Sequence, residues 1–127
     1  MKKLILIFFF SAIMLYAQST SSYDIERIVV KLNSTGKVLF DIKGENQSCD
    51  FILKKDNTGT LEFNTGSVVR LTKYLGKSGA SKSWSAIDHM GVSCKVQLND
   101  STAKKNSRTS FKILYSDKTI TYSCIRL

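Results

Sequence analysis

From Ile28 onward the apolar residues alternate with polar ones instead of recurring at three and four, which is the signature of half-buried strands. Ile28, Val30 and Leu32 share one face of a first strand, and Val38, Phe40 and Ile42 one face of a second, with Asn33-Ser34-Thr35-Gly36 as the turn between them. Cys49, Phe51 and Leu53 continue the alternation, and Asp56-Asn57-Thr58-Gly59 marks a second turn in which Gly59 is expected to take a positive φ. Leu61 and Phe63 define a short strand, and Val68 to Leu75 a longer one. Trp84, Ala86 and Ile87 follow in a short strand or turn. Val92, Cys94, Val96 and Leu98 alternate most cleanly, and Phe111, Ile113 and Tyr115 return through Ser116-Asp117-Lys118 to Ile120, Tyr122 and Cys124 as a hairpin. Residues 76–83 read as a flexible basic loop and residues 99–110 as a long polar one. The pattern predicts an all-β fold, a small single-domain antiparallel β-barrel or β-sandwich of about eight strands. An open sheet packed by one helix, placed within residues 78–90, is the alternative.

The N-terminus breaks the period. Lys2 and Lys3 precede an apolar run from Leu4 to Phe10 that resumes after Ser11 and continues to Ala17. This is the pattern of a secretory signal peptide, and the uncharged stretch is shorter than the roughly 20 residues a spanning helix needs. Ala17-Gln18-Ser19 supplies a small-x-small cleavage sequence. Cleavage after Ser19 divides the chain into a signal-peptide helix, 1–19, and an exported domain, 20–127; cleavage after Ala17 is the alternative. No cysteine stands near the end of the run and no second long apolar segment follows. The expectation is an exported protein, periplasmic or extracellular, with no transmembrane anchor once the signal is removed.

Loss of Lys2 and Lys3 takes the formal charge from +9 to +7. Residues 18–69 carry a net −1, whereas residues 70–112 carry nine basic side chains against Asp88 and Asp100. A field of that size recruits an anionic partner such as an envelope lipid, an acidic glycan or an acidic protein, and nucleic acid is not expected. Lysines scattered on outer strand faces also serve solubility alone. The candidate contact residues are Lys77, Lys82, Lys104, Lys105 and Arg108 in the two basic loops, with Trp84 as an interleaved aromatic.

Catalytic chemistry is sparse. His89 is the sole histidine, and no Gly-x-Ser-x-Gly elbow accompanies it. The acids lack the pairing that glycoside hydrolysis needs, and Gly76-Lys77-Ser78-Gly79 lacks the phosphate-loop spacing. Cys49, Cys94, Cys124 and His89 form no zinc knuckle, so no metal and no cofactor are expected. In an oxidising compartment two of the three cysteines should pair; Cys94 with Cys124 is the first choice and Cys49 with Cys94 the next. The odd thiol is either buried or the link in a covalent dimer, so the expected state is a monomer or a disulfide-linked dimer. Ser78-Gly79-Ala80 is similar to part of the Ser-Gly-x-x-Tyr loop of periplasmic inhibitors of C-type lysozyme, which are small exported β-barrels. Lys82 stands in place of the tyrosine and the companion Lys-Gly motif is missing, so no residue role is carried over.

These observations point to an exported, non-enzymatic β-domain that binds an anionic surface or a protein through its basic C-terminal half, in its sharpest form an inhibitor or immunity protein. The alternatives are a structural or assembly component that uses edge-strand pairing, and a small hydrolase.

Overall fold

A computed structural model describes residues 18–100 and 104–127. The apolar run expected to be a signal peptide lies outside them, apart from Gln18 and Ser19. Eight strands follow in order: β1 (Ser19–Leu32), β2 (Val38–Leu53), β3 (Gly59–Phe63), β4 (Val68–Ser78), β5 (Ser81–Ile87), β6 (Ser93–Asn99), β7 (Arg108–Leu114) and β8 (Lys118–Arg126). Each pairs antiparallel with the next, and β8 closes on β1, so the sheet is a closed up-and-down barrel. No helix occurs among the described residues.

Alternation along the strands fills the interior. Tyr23, Ile25, Cys49, Phe51, Leu61, Val69, Leu71, Trp84, Val96, Phe111, Ile113 and Cys124 all point inward and are buried. The axis is occupied by rings: Phe51 lies edge-on to Tyr23 at 5.7 Å and to Phe111 at 5.3 Å, and Phe111 stacks on Tyr122 at 4.5 Å. An eight-stranded barrel is just wide enough for side chains to close it, and here they do.

Several local expectations change. Residues 76–83 are not a loop: β4 runs to Ser78 and β5 starts at Ser81, making a tight hairpin with Gly79 at φ 60°. The segment considered for a helix is therefore mostly β5. In the β2–β3 turn the positive φ belongs to Asn57, at 67°. Gly59 is required for a different reason, because a Cβ there would sit 1.9 Å from the Ile52 carbonyl oxygen.

The Cys94–Cys124 bridge is not made, and all three cysteines are free. Lys95 pairs with Leu114, which puts Cys94 level with Tyr115, whereas Cys124 pairs with Thr109. The two thus lie about 20 Å apart along β7, far beyond the roughly 7 Å between Cα atoms that a disulfide tolerates. Both sit on core-facing phases, but phase alone does not fix height along the barrel. Burial raises the Cys49 thiol pKa strongly and pushes Cys124 up to about 12, so neither forms thiolate at neutral pH. Thiol counting in denaturant without reductant is expected to find three groups per chain, and native protein is expected to leave Cys49 and Cys124 unlabelled. A count of one would contradict this fold.

Candidate functional site

Up-and-down topology sorts the connections into two ends. One end gathers the β2–β3 turn, the β4–β5 hairpin, the β6–β7 loop, the start of β1 and the end of β8. Lys77, Lys82, Lys104, Lys105 and Arg108, noted from sequence as a charge-rich stretch, therefore converge on one rim, and all five are exposed. Lys54 and Lys55 join them from the β2–β3 turn. That pair escaped the sequence reading because it lies in the electrically balanced half of the chain. Strand count was the missing signal: even-numbered strands of a meander end on the same side as its C-terminus.

The rim is held by local bonds. In the β2–β3 turn, Asp56 accepts from the Thr58 backbone N–H at 3.0 Å and the Thr58 hydroxyl at 2.6 Å, which holds its carboxyl below the usual range. The Ser81 hydroxyl meets the Asn99 side chain, tying the hairpin to the end of β6. Beyond Lys104 and Lys105 the chain turns at Asn106, at φ 64°, and pairs with β8: Asn106 N–H donates to Arg126 O at 2.7 Å and Arg126 N–H to Ser107 O at 2.9 Å. Arg108 donates to Glu26 at 3.2 Å, an exposed pair of little energetic weight.

Trp84, expected from sequence to join these residues, is not on the exposed rim. It is fully buried against Phe51 and Tyr74. Its indole N–H donates to Asn57 O at 2.8 Å, so it supports the Lys54–Lys55 turn from beneath. An aromatic between basic residues in sequence is here an inward-facing strand position, as β-alternation dictates.

At the mouth framed by this rim is a pocket of about 160 Å³, lined by Ser19, Tyr23, Ala80, Lys82, Asp100 and Arg126 among others. Its floor is a polar triad. The Tyr23 hydroxyl donates to Asp100 Oδ2 at 2.7 Å, and the Arg126 guanidinium donates to the same oxygen at 2.5 Å while lying 5.8 Å from the Tyr23 ring centre. Burial first, then the Asp100 hydrogen bond and charge, raise the Tyr23 pKa. Asp100 is thus neutralised inside the mouth, leaving the lysines to set its potential.

The opposite end carries different chemistry. Asp88 accepts from the backbone N–H groups of Met90 and Val92 at 2.9 and 2.8 Å and from the Tyr115 hydroxyl at 2.7 Å. Partial burial works against its ionisation, but these three donors outweigh it and lower the pKa. His89, exposed in the same turn, lines a separate pocket of about 170 Å³. Among the described residues no group of three or more His, Cys, Asp and Glu is placed to hold a metal ion. No protein-family model, curated protein or solved structure matches this chain.

Proposed function

We propose that this protein is an exported, non-catalytic binding module whose basic rim docks on an acidic protein, with the β4–β5 hairpin entering a cleft of that partner. The observation that carries the reading is the convergence of Lys54, Lys55, Lys77, Lys82, Lys104, Lys105 and Arg108 at one end of a side-chain-filled barrel. A filled interior favours recognition by the surface over storage of a small ligand. The hairpin tip Ser78-Gly79-Ala80-Ser81 is small, so it fits a narrow concavity, while Lys77 and Lys82 flank it as mobile cations that steer the encounter. The narrow tip is what favours a protein cleft over a flat lipid or glycan surface.

Export rests on the N-terminal pattern. Ser19 is the first residue of β1 and pairs with Leu53, so cleavage after Ala17 leaves β1 whole whereas cleavage after Ser19 removes a paired residue. A mature N-terminus at Gln18 is the form this barrel accommodates best.

Affinity capture from the native cell envelope tests the docking. Wild-type protein is expected to retain an acidic protein that elutes between low and moderate salt, because exposed charges are screened within about 8 Å at physiological ionic strength. The variant carrying Glu at Lys77, Lys82, Lys104, Lys105 and Arg108 is expected to retain none of it. Undiminished capture by a folded variant would refute the rim as the contact.

A further inference from the structure

Gln18 stands where the N-terminal pattern meets the barrel. It precedes β1, whose first residue Ser19 pairs with Leu53, and it is exposed. Just inside it the strand is clamped: Ser22 O accepts from the Leu127 N–H at 2.9 Å, and β2 pairs Ser19 to Ile25 without a register shift. Two shallow concavities meet at Gln18, and the charged side chains that line them are Lys54, Lys55 and Asp56 in one, Lys54, Glu62 and Arg70 in the other. Both carboxylates are engaged locally, Asp56 by the Thr58 hydroxyl at 2.6 Å and Glu62 by the Thr60 hydroxyl at 2.7 Å.

We propose that the mature chain begins with a pyroglutamyl residue formed from Gln18. This rests on the export reading, with cleavage after Ala17. That cut makes Gln18 the N-terminal residue and places a free α-amine within reach of its own side-chain amide, where a five-membered ring closes without strain. The uncharged α-nitrogen attacks Cδ, a new C–N bond closes the lactam, and the bond from Cδ to Nε2 breaks. Ammonia leaves with one amine proton, while the other remains as the lactam N–H. No oxidant, reductant or cofactor enters. The surroundings favour the step. An α-amine ordinarily titrates at about 7.7–8.0, and neighbouring like charges disfavour its protonated form. Beside Lys54, Lys55 and Arg70 an α-ammonium is the fourth cation at this corner of the rim, so the reactive free base gains and the neutral lactam relieves the crowding. The barrel is undisturbed, since Gln18 lies outside β1 and keeps its carbonyl. The product offers an aminopeptidase no α-amine, which protects the free end of the strand that joins β2 to β8.

Intact-mass measurement of protein freshly recovered from the native cell envelope or medium tests this. The expected mass is that of residues 18–127 less one ammonia, with stepwise N-terminal sequencing blocked until pyroglutamyl aminopeptidase is applied. Gln18→Asn supplies the control, because its shorter side chain could close only a strained four-membered ring. That variant is expected to show the full mass of residues 18–127 and a free amine, with the near-UV circular dichroism of buried Trp84 unchanged because residue 18 is exposed. A wild-type chain that starts at Gln18 with full mass and a free amine would overturn the proposal and leave export standing. A chain that starts at Thr20, or an intact Met1, would overturn the cleavage reading and the proposal with it.

Discussion

Trp84→Ala is expected to destabilise the barrel by about 3–5 kcal/mol, much of the 5–15 kcal/mol that holds a typical domain together. The indole is fully buried, packs on Phe51 at 5.9 Å and Tyr74 at 5.6 Å, and is the largest side chain in the core. Its removal leaves a cavity that a closed barrel cannot collapse, because eight hydrogen-bonded strands fix the diameter. It also strips the Asn57 carbonyl of its donor. Urea unfolding is expected to show a much lower midpoint. Trp84→Phe, which restores the ring but not the N–H, should recover most of the loss and leave the Lys54–Lys55 turn looser, visible as faster amide exchange there.

Asp100→Ala is expected to cost about 2–3 kcal/mol, since removing one member of a mostly buried pair leaves the other uncompensated. The Asp100 side chain is 8% exposed and that of Arg126 21%, so the penalty is reduced by solvent reaching the guanidinium. A second readout separates this from simple loss of packing. Tyr23 owes part of its raised pKa to Asp100, so in the variant it should ionise at lower pH in an ultraviolet titration. In the wild-type protein the sign of the alkaline response follows from the raised groups. Cys124 moves from 9.0 to about 12 and Tyr122 from 10.0 to about 12, both mainly by burial. The stability they contribute is fully present below about pH 9 and is lost as pH rises toward 12.

Period-two alternation carried the all-β class and the strand count, because inward and outward phases are written directly in residues such as Cys94 to Leu98 and Phe111 to Tyr115, but it left barrel and sandwich open until the pairing of β8 with β1 closed the sheet. Three things were not legible. Gly76 to Ser83 looked like a loop since glycine and serine dominate it, yet Gly76, at φ 108° in a register shift of β4, and Gly79 at the turn are what allow the hairpin. Phase placed Cys94 and Cys124 in the core, but their heights depend on the β6–β7–β8 register, which no local pattern carries. The exposure of Val38, Phe40 and Ile42 was hidden for a related reason. Their alternation reads as a buried face, whereas β2 outruns β3 and leaves them uncovered. The rim itself was half visible: five of its basic residues were found by local charge, while Lys54 and Lys55 needed the strand order.

The most direct test of the basic rim compares two variants of equal charge. One carries Glu at Lys77, Lys82 and Lys104 on the rim; the other carries Glu at Lys31, Lys73 and Lys95, all exposed on the barrel strands away from it. Both substitutions lower the net charge equally, so any difference between them reports position. Binding to the captured acidic partner, measured by titration calorimetry at fixed salt, is expected to be abolished in the rim variant and reduced by less than about tenfold in the other. Equal loss in both would show that net charge alone attracts the partner and would contradict a rim-centred site.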